Sequence, residues 1–403
     1  MKKKIISIFF SILFFITTFA QTWTQKASFT GTARGDAFSF SIGNKGYVGG
    51  GEDVSGNFTN DFWEYDAVNN SWTQKANFIG IARWQAVSFA IGSKGYVGTG
   101  NFTNDFWEYD PLTDSWTQKA NLPADSRTAA VGFSIGNNGY IGTGSGGSPQ
   151  YNHNDFWEYN PTNNSWIQKT SIPGPRSFAI GLSIGAKGFV GTGYDSANAN
   201  LLDDFWEYDT TNDTWSNKTN FPGGKRRDID RAFFVIGNYG YTGTGLGSAY
   251  NNDFWRYDPS NDSWTQISNL PAIERIGVSG FSINNKGYVG FGFWFNPNPN
   301  YLNDLWEYTD TTSGAGMNEH DVKVLTEVLP NPFINQTTIK INSATNFKYE
   351  RIKLFDCAGR EMRSENFLGK QVVIKRENLQ SGVYLYQIIS ENKTIAEGKL
   401  VVQ

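Results

Sequence analysis

Asn104-Asp105-Phe106-Trp107-Glu108-Tyr109-Asp110-Pro111-Leu112-Thr113-Asp114-Ser115-Trp116-Thr117-Gln118-Lys119 reads as a β-hairpin. Phe-Trp-Glu-Tyr supplies aromatic strand formers, Asp-Pro-Leu-Thr-Asp supplies turn residues, and Ser-Trp-Thr-Gln resumes an extended run. The hairpin recurs. Its first tryptophan falls at Trp63, Trp107, Trp157, Trp206, Trp255 and Trp306, and its second at Trp23, Trp72, Trp116, Trp166, Trp215 and Trp264. Within a hairpin the two lie nine residues apart, and successive hairpins are 44 to 51 residues apart.

A period of that length belongs to β-propeller blades. The repeat containing Trp72 shows the parts. A strand Ala86–Ile91 is followed by the turn Gly92–Gly95, a strand Tyr96–Gly100, a variable loop, and the strands Phe106–Tyr109 and Trp116–Lys119. Four antiparallel strands per repeat, a to d from the axis outward, make one blade. Phe106 and Trp107 point to opposite faces of strand c, so both faces need cover, which neighbouring blades provide. The twelve tryptophans in two registers are therefore expected to cement the blades; Trp84 and Trp294 lie outside both registers. The repeat of Trp306 lacks a strand d, since Ala315 stands nine residues on, and an orphan strand d surrounds Trp23. The expected fold is all-β: a six-bladed propeller over 21–309 closed by its N-terminal strand, a linker over 310–325, and a small immunoglobulin-like β-sandwich over 326–403.

Composition narrows the function classes. The 403 residues include 44 glycines and 16% aromatics, a mixture suited to short strands and tight turns. One cysteine, Cys357, precludes an intramolecular disulfide and a Cys-rich metal site. Two histidines, His153 and His320, leave little for transition-metal binding, and no metal or cofactor is expected. The turns such as Asp258–Asp262 lack the glycine and terminal glutamate of a calcium loop. Residues 21–320 carry a net charge of −10 and residues 321–403 of +3, so nucleic acid is not an expected partner of the acidic repeats. Residues 1–20 have the pattern of a signal peptide: Lys2–Lys4, an apolar run, and Thr18-Phe19-Ala20. No other segment has the length and apolarity of a membrane span.

Several repeat features resemble the kelch propellers: an Arg opening strand a, an aromatic-led glycine pair in strand b, Asp-aromatic-Trp-x-Tyr in strand c and a Trp in strand d, over about residues 22–309. Kelch repeats usually carry adjacent glycines; here Gly98-Thr99-Gly100, Gly142-Thr143-Gly144 and Gly191-Thr192-Gly193 are split by threonine. The C-terminal part resembles the sorting domain of type IX secretion in the Bacteroidota, through Leu329-Pro330-Asn331-Pro332-Phe333, the Asp356-to-Gly359 turn, Gly382-Val383-Tyr384 and the basic last strand from Lys399. That resemblance implies a secreted or cell-surface protein whose residues 326–403 engage the type IX machinery.

In the propeller, d–a and b–c loops reach the same face, and a–b and c–d turns the other. The loop face is variable and aromatic, with an arginine at each strand-a entrance. Candidate ligand-binding residues are Arg34, Arg83, Trp84, Arg127, Arg176, Arg227, Arg275, Tyr151, Tyr194 and Trp294, suited to an extracellular glycan or protein through bidentate arginine contacts and stacking. The competing role for each Arg is an internal pair with its repeat's Asp: Asp61, Asp105, Asp155, Asp204, Asp253 or Asp304. No catalytic residue is assigned. Copper oxidases related to galactose oxidase need histidine ligands and a Tyr-Cys crosslink, which this propeller lacks. A kelch-type branch of sialic-acid mutarotases works without metal, so a sugar-processing enzyme is the alternative to a non-enzymatic binding protein.

Overall fold

In the hairpin that sets the period, Tyr109 lies opposite Trp116 and Phe106 opposite Lys119. Its turn is held by Asp110, which accepts from the Leu112 amide, and by Asp114, which sits at a φ of 48°. Asp114 also accepts from the Tyr109 hydroxyl at 2.7 Å and from the Ala76 amide at 3.0 Å, so the turn fastens its own blade to the preceding one. Asn70, Asn164, Asp213 and Asp262 do the same in their repeats.

The computed structural model describes residues 22–147, 151–229, 231–310, 325–342, 350–356, 360–390 and 393–403. The expected signal segment, most of the linker, Ala315 and the turn residue Gly359 lie outside them. The chain divides into two units, Met1–Thr312 and Ser313–Gln403. Among the described residues there is no helix, hence none long and apolar enough to cross a membrane.

The first unit is a β-propeller. Its described residues hold six four-stranded antiparallel sheets. Blade two consists of Val87–Ile91, Lys94–Gly98, Phe106–Asp110 and Ser115–Lys119. Strand b ends at Gly98, two residues before the sequence-based boundary, because Thr99 and Gly100 turn to φ of 55° and 77°. The innermost strands neighbour one another in the order Phe38–Ile42, Val87–Ile91, Val131–Ile135, Ile180–Ile184, Phe233–Ile236, Ser279–Ile283 and back to Phe38–Ile42. In the last sheet the outermost strand is Thr22–Gln25, which pairs with Leu305–Thr309, setting Trp23 opposite Tyr308.

Aromatic rings fill the gaps between blades. Phe62 lies against Tyr47 of its own blade and meets Tyr109 and Trp116 of the next edge-on, at 4.7 and 5.0 Å. Each strand-d tryptophan donates its indole N–H to a carbonyl beyond the strand d of the neighbouring blade: Trp72 to Ala27, Trp116 to Ala76, Trp166 to Ala120, Trp215 to Thr170, Trp264 to Thr219 and Trp23 to Ser268. Of the twelve tryptophans in the two registers only Trp72 and Trp116 are buried and the rest are half-buried, while Phe62, Phe106, Phe156, Phe205 and Phe254, each next to a strand-c tryptophan, are fully buried. Phenylalanine fits the narrow gap, and the larger indole lies beside a carboxylate.

The second unit is a small β-sandwich. One sheet orders Leu325–Leu329, Gln336–Asn342 and Gln371–Lys375; the other orders Glu361–Phe367, Glu350–Phe355, Gly382–Ser390 and Lys393–Val402. Ile339, Ile374, Ile352, Leu354, Ile388 and Leu400 form its core. The Pro-Asn-Pro-Phe entry has a defined job: Phe333 is buried, and the Asn331 side chain bonds Lys399 O and Val401 N of the last strand.

The Trp23 ring stands 5.0 Å from both Phe254 and Tyr308 and bridges the first strand to two blades. Trp23→Ala is expected to lower propeller stability by about 3 kcal/mol, as large-to-small changes in packed aromatics do. A denaturant midpoint unchanged from the parent would refute this role for the seam.

Candidate functional site

Every blade entrance carries an arginine in one fixed arrangement. In blade two, Arg83 is fully buried and donates from Nη1 and Nη2 to the two oxygens of Asp105, each at 2.6 Å. Nη1 also reaches the Thr99 carbonyl and the Thr103 hydroxyl, Nε reaches the Ile81 carbonyl, and the guanidinium lies over Phe78 at 4.7 Å. Trp107 donates its indole N–H to the same Asp105. Arg34, Arg127, Arg176 and Arg275 pair identically with Asp61, Asp155, Asp204 and Asp304. Bidentate geometry and the burial of each guanidinium make these strong pairs, although the carboxylates keep 18–27% of their side-chain surface exposed.

This corrects the sequence-based placement of Arg34, Arg83, Arg127, Arg176 and Arg275 in a ligand site. Each is at most 1% exposed, and its donors face internal acceptors. In the fifth repeat the register position belongs to Arg226, which pairs with Asp253, and not to Arg227. Arg227 is set free from the entrance and has 39% of its side chain exposed.

The pair's position explains the glycine that follows it. The carbonyl of each arginine accepts an amide from the preceding blade's second glycine: Gly51 to Arg83, Gly100 to Arg127, Gly144 to Arg176, Gly193 to Arg226, Gly245 to Arg275 and Gly292 to Arg34. A Cβ on Gly100 would come within 2.7 Å of the Trp84 carbonyl, and φ there is 77°. Only glycine fits such a close backbone approach at positive φ.

What remains for a ligand lies on the loops. Trp84 stacks on Phe58 at 5.7 Å and 9°; Phe58 is 37% exposed and Trp84 half-buried. Arg227 stands over Phe178 and Tyr194, 5.7 and 5.8 Å from their ring centres, and beside Asp228. Trp294 sits half-buried in a hairpin of Phe293–Phe295 with Pro299–Tyr301, whose Phe295 is exposed. Tyr151 is exposed and donates to Asp125 at 2.6 Å. Of the candidates, then, Arg227 and Tyr194 meet each other, while Trp84, Tyr151 and Trp294 stand on separate loops.

Sequence reasoning missed Phe58, Phe178, Phe102, Asp36 and Arg231. The stretch between Arg226 and strand a is two residues longer than in other repeats, and this extra length carries Arg231 inward, where its Nη1 approaches Asp36 at 3.3 Å. The length difference was the available signal. Phe102 and Phe178 hold φ of 56° and 57°, values that bulky residues rarely adopt.

Burial alone would raise the carboxyls of Asp61, Asp105 and Asp155, but hydrogen bonds and charge from Arg34, Arg83 and Arg127 outweigh it and hold each below its ordinary value. A carboxyl lowered on folding stabilises the protein above its unfolded pKa, about 3.9, and that stability is lost as pH falls through the folded value. Acid unfolding is therefore expected to set in below about pH 4. Arg83→Ala should cost about 3–5 kcal/mol by stranding Asp105 and should flatten that acid transition; urea midpoints measured against pH check both.

Comparisons with known proteins agree with this geometry. Residues 120–292 match the KLHDC2/KLHL20/DRC7 Kelch-repeats domain, residues 95–123 the Kelch motif, and residues 327–403 the secretion system C-terminal sorting domain. No curated protein sequence matches the chain. Among solved structures, the one titled "Structure of YjhT" is similar with a TM-score of 0.60 and 17% identity, over 70% of this chain and 97% of that one. At that identity the likeness concerns the fold. The chain thus carries kelch repeats over residues 95–292 and, over 327–403, a type IX sorting domain that indicates export to the cell surface or extracellular space.

Proposed function

We propose that this is a secreted, non-enzymatic propeller that binds an extracellular glycan on its loop face. The observation that carries the reading is the Phe58–Trp84 stack, two parallel rings outside the packing registers with accessible surface. Aromatic faces of this kind stack on the apolar face of a sugar ring, and an exposed aromatic patch on a rigid scaffold marks a binding surface. Phe102, 47% exposed, adds a further ring on a neighbouring loop in a strained backbone conformation, as functional loops often carry. Arg227, on a separate loop of the same face above Phe178 and Tyr194, offers a second, polar point of recognition.

A glycan array probed with the mature full chain tests this reading. Trp84→Ala and Arg227→Ala should weaken binding at least tenfold, about 1.4 kcal/mol or more, with melting temperature unchanged. Unchanged binding in both variants would refute the site. The mutarotase alternative draws support from Arg231 and Asp36, buried near the axis. Sugar anomerisation followed by NMR distinguishes the two, since turnover above the spontaneous rate would establish an enzyme.

For the tail, deleting Lys399–Gln403 removes the strand segment that holds Asn331 and Phe333. Export should stop while the propeller keeps its melting temperature, because the two units have separate cores. Normal secretion of the truncated chain would show that the sandwich does not direct export.

A further inference from the structure

The strands a enclose a cavity of about 260 Å³, reached by residues of all six. It is distinct from the loop face. Towards that face the space narrows to about 20 Å³ beneath Arg231, among Ser39, Ser88 and Phe233. Beyond lie backbone bonds from one entrance to the next: Asp36 N to Gly277 O, Gln85 N to Asp36 O, Ala129 N to Gln85 O and Phe178 N to Ala129 O. The opposite end has only two-residue a–b turns. A Cβ at Gly43, Gly92, Gly136, Gly185 or Gly237 would meet nothing within 4 Å, so no side chain from these turn positions covers the mouth. The cavity is a cup, narrow at one end and bare at the other.

Its lining is chemically specific. At one level the inward positions are Ser41, Ala90, Ser134, Ser183, Val235 and Ser282 in blade order. Blades one and six are neighbours, as are three and four, so two serine pairs face each other across the axis while Ala90 faces Val235. Ser282 accepts the Val235 amide at 2.9 Å, but no hydrogen bond to the described residues engages the hydroxyls of Ser41, Ser134 or Ser183. At the next level Gly132 and Gly280 carry no side chain, and Phe233 lines the space there. No charged side chain lines the 260 Å³ space among the described residues; Arg231 stands only at the narrow end. The lysines at the nearby turns are turned outward onto strand c: Lys45 to Asp66, Lys94 to Asp110, Lys187 to Asp209 and Lys286 to Glu307.

We propose that this cup is a second binding site, taking a small neutral polyol such as a monosaccharide. Opposed hydroxyls suit the equatorial hydroxyls of a sugar ring, and an aromatic floor with apolar flanks suits its C–H faces. The wide part of the cup offers no cation to an anionic sugar, and Arg231 at the narrow end is already paired with Asp36, so a buried carboxylate would lack a partner. The volume falls below the roughly 300–1,000 Å³ of drug-sized ligand pockets, which selects a single ring over an oligosaccharide.

Saturation-transfer NMR and calorimetry on the full chain with glucose, galactose, mannose, xylose and N-acetylneuraminate test it. At least one neutral sugar should bind with a millimolar constant, and N-acetylneuraminate should not. Ser183→Leu, which fills the cup, should abolish binding. The double variant Ser41→Ala, Ser183→Ala removes hydroxyls that have no protein partner, so it should fold normally and weaken binding at least tenfold. Trp84→Ala, on the other face, should leave this binding intact. Failure of every neutral sugar to bind, retention of binding in both cup variants, or loss in Trp84→Ala alone would overturn the proposal.

Discussion

The arginine–aspartate pair at each blade entrance is the interaction on which the propeller depends. Its guanidinium joins the end of strand b, the start of strand c and the entering chain, while its carbonyl receives the amide of the preceding blade's glycine. A single residue thus couples the interior of one blade to its neighbour. Six copies form a continuous belt around the entrances, closed by Gly292 onto Arg34. Such a pair withdrawn from water is costly unless its donors are satisfied; backbone carbonyls accept from Nε of Arg34, Arg83, Arg127, Arg176 and Arg275, whereas Nε of Arg226 has no acceptor among the described residues.

This belt determines where recognition can occur. Because Arg34, Arg83, Arg127, Arg176, Arg226 and Arg275 are committed to internal acceptors, variation falls to the loops and to residues beside the belt. Trp84 follows Arg83 and Arg227 follows Arg226 directly, so each begins on a rigid anchor while its side chain turns away from the core. The binding surface proposed above would use that arrangement, with its contacts on loops that differ from repeat to repeat and are held by the repeated frame.

The nine-residue tryptophan spacing made the blade legible because the c–d turn allows one register, Tyr109 opposite Trp116. The pairing of Trp23's strand with Trp306's strand was legible from what the last repeat lacked. The fate of the arginines was not, because an Arg and an Asp about twenty to thirty residues apart fit either a salt bridge or a ligand clamp until burial is known. In the fifth repeat the two-residue insertion leaves Arg226 and Arg227 both near the entrance position, and spacing alone does not separate them. Neither Phe58 nor the serine-lined cup announces itself, since a partner across a loop and a shared axis are properties of the closed ring.

The strand Thr22–Gln25 belongs to a sheet whose other members come at the far end of the domain. A chain made or delivered N-terminus first therefore presents this edge before its partner Leu305–Thr309 exists. Every other blade is assembled from neighbouring sequence, at low loop-closure cost, and can form in succession. The waiting edge is kept short, four residues, and Thr22, Thr24 and Gln25 are polar and exposed even in the finished sheet, with Trp23 the sole large apolar side chain. Short length and polar character are what protect an unpaired strand from pairing with another molecule. The seam is in this sense a delayed zipper, composed to remain soluble until the last blade arrives to fasten it.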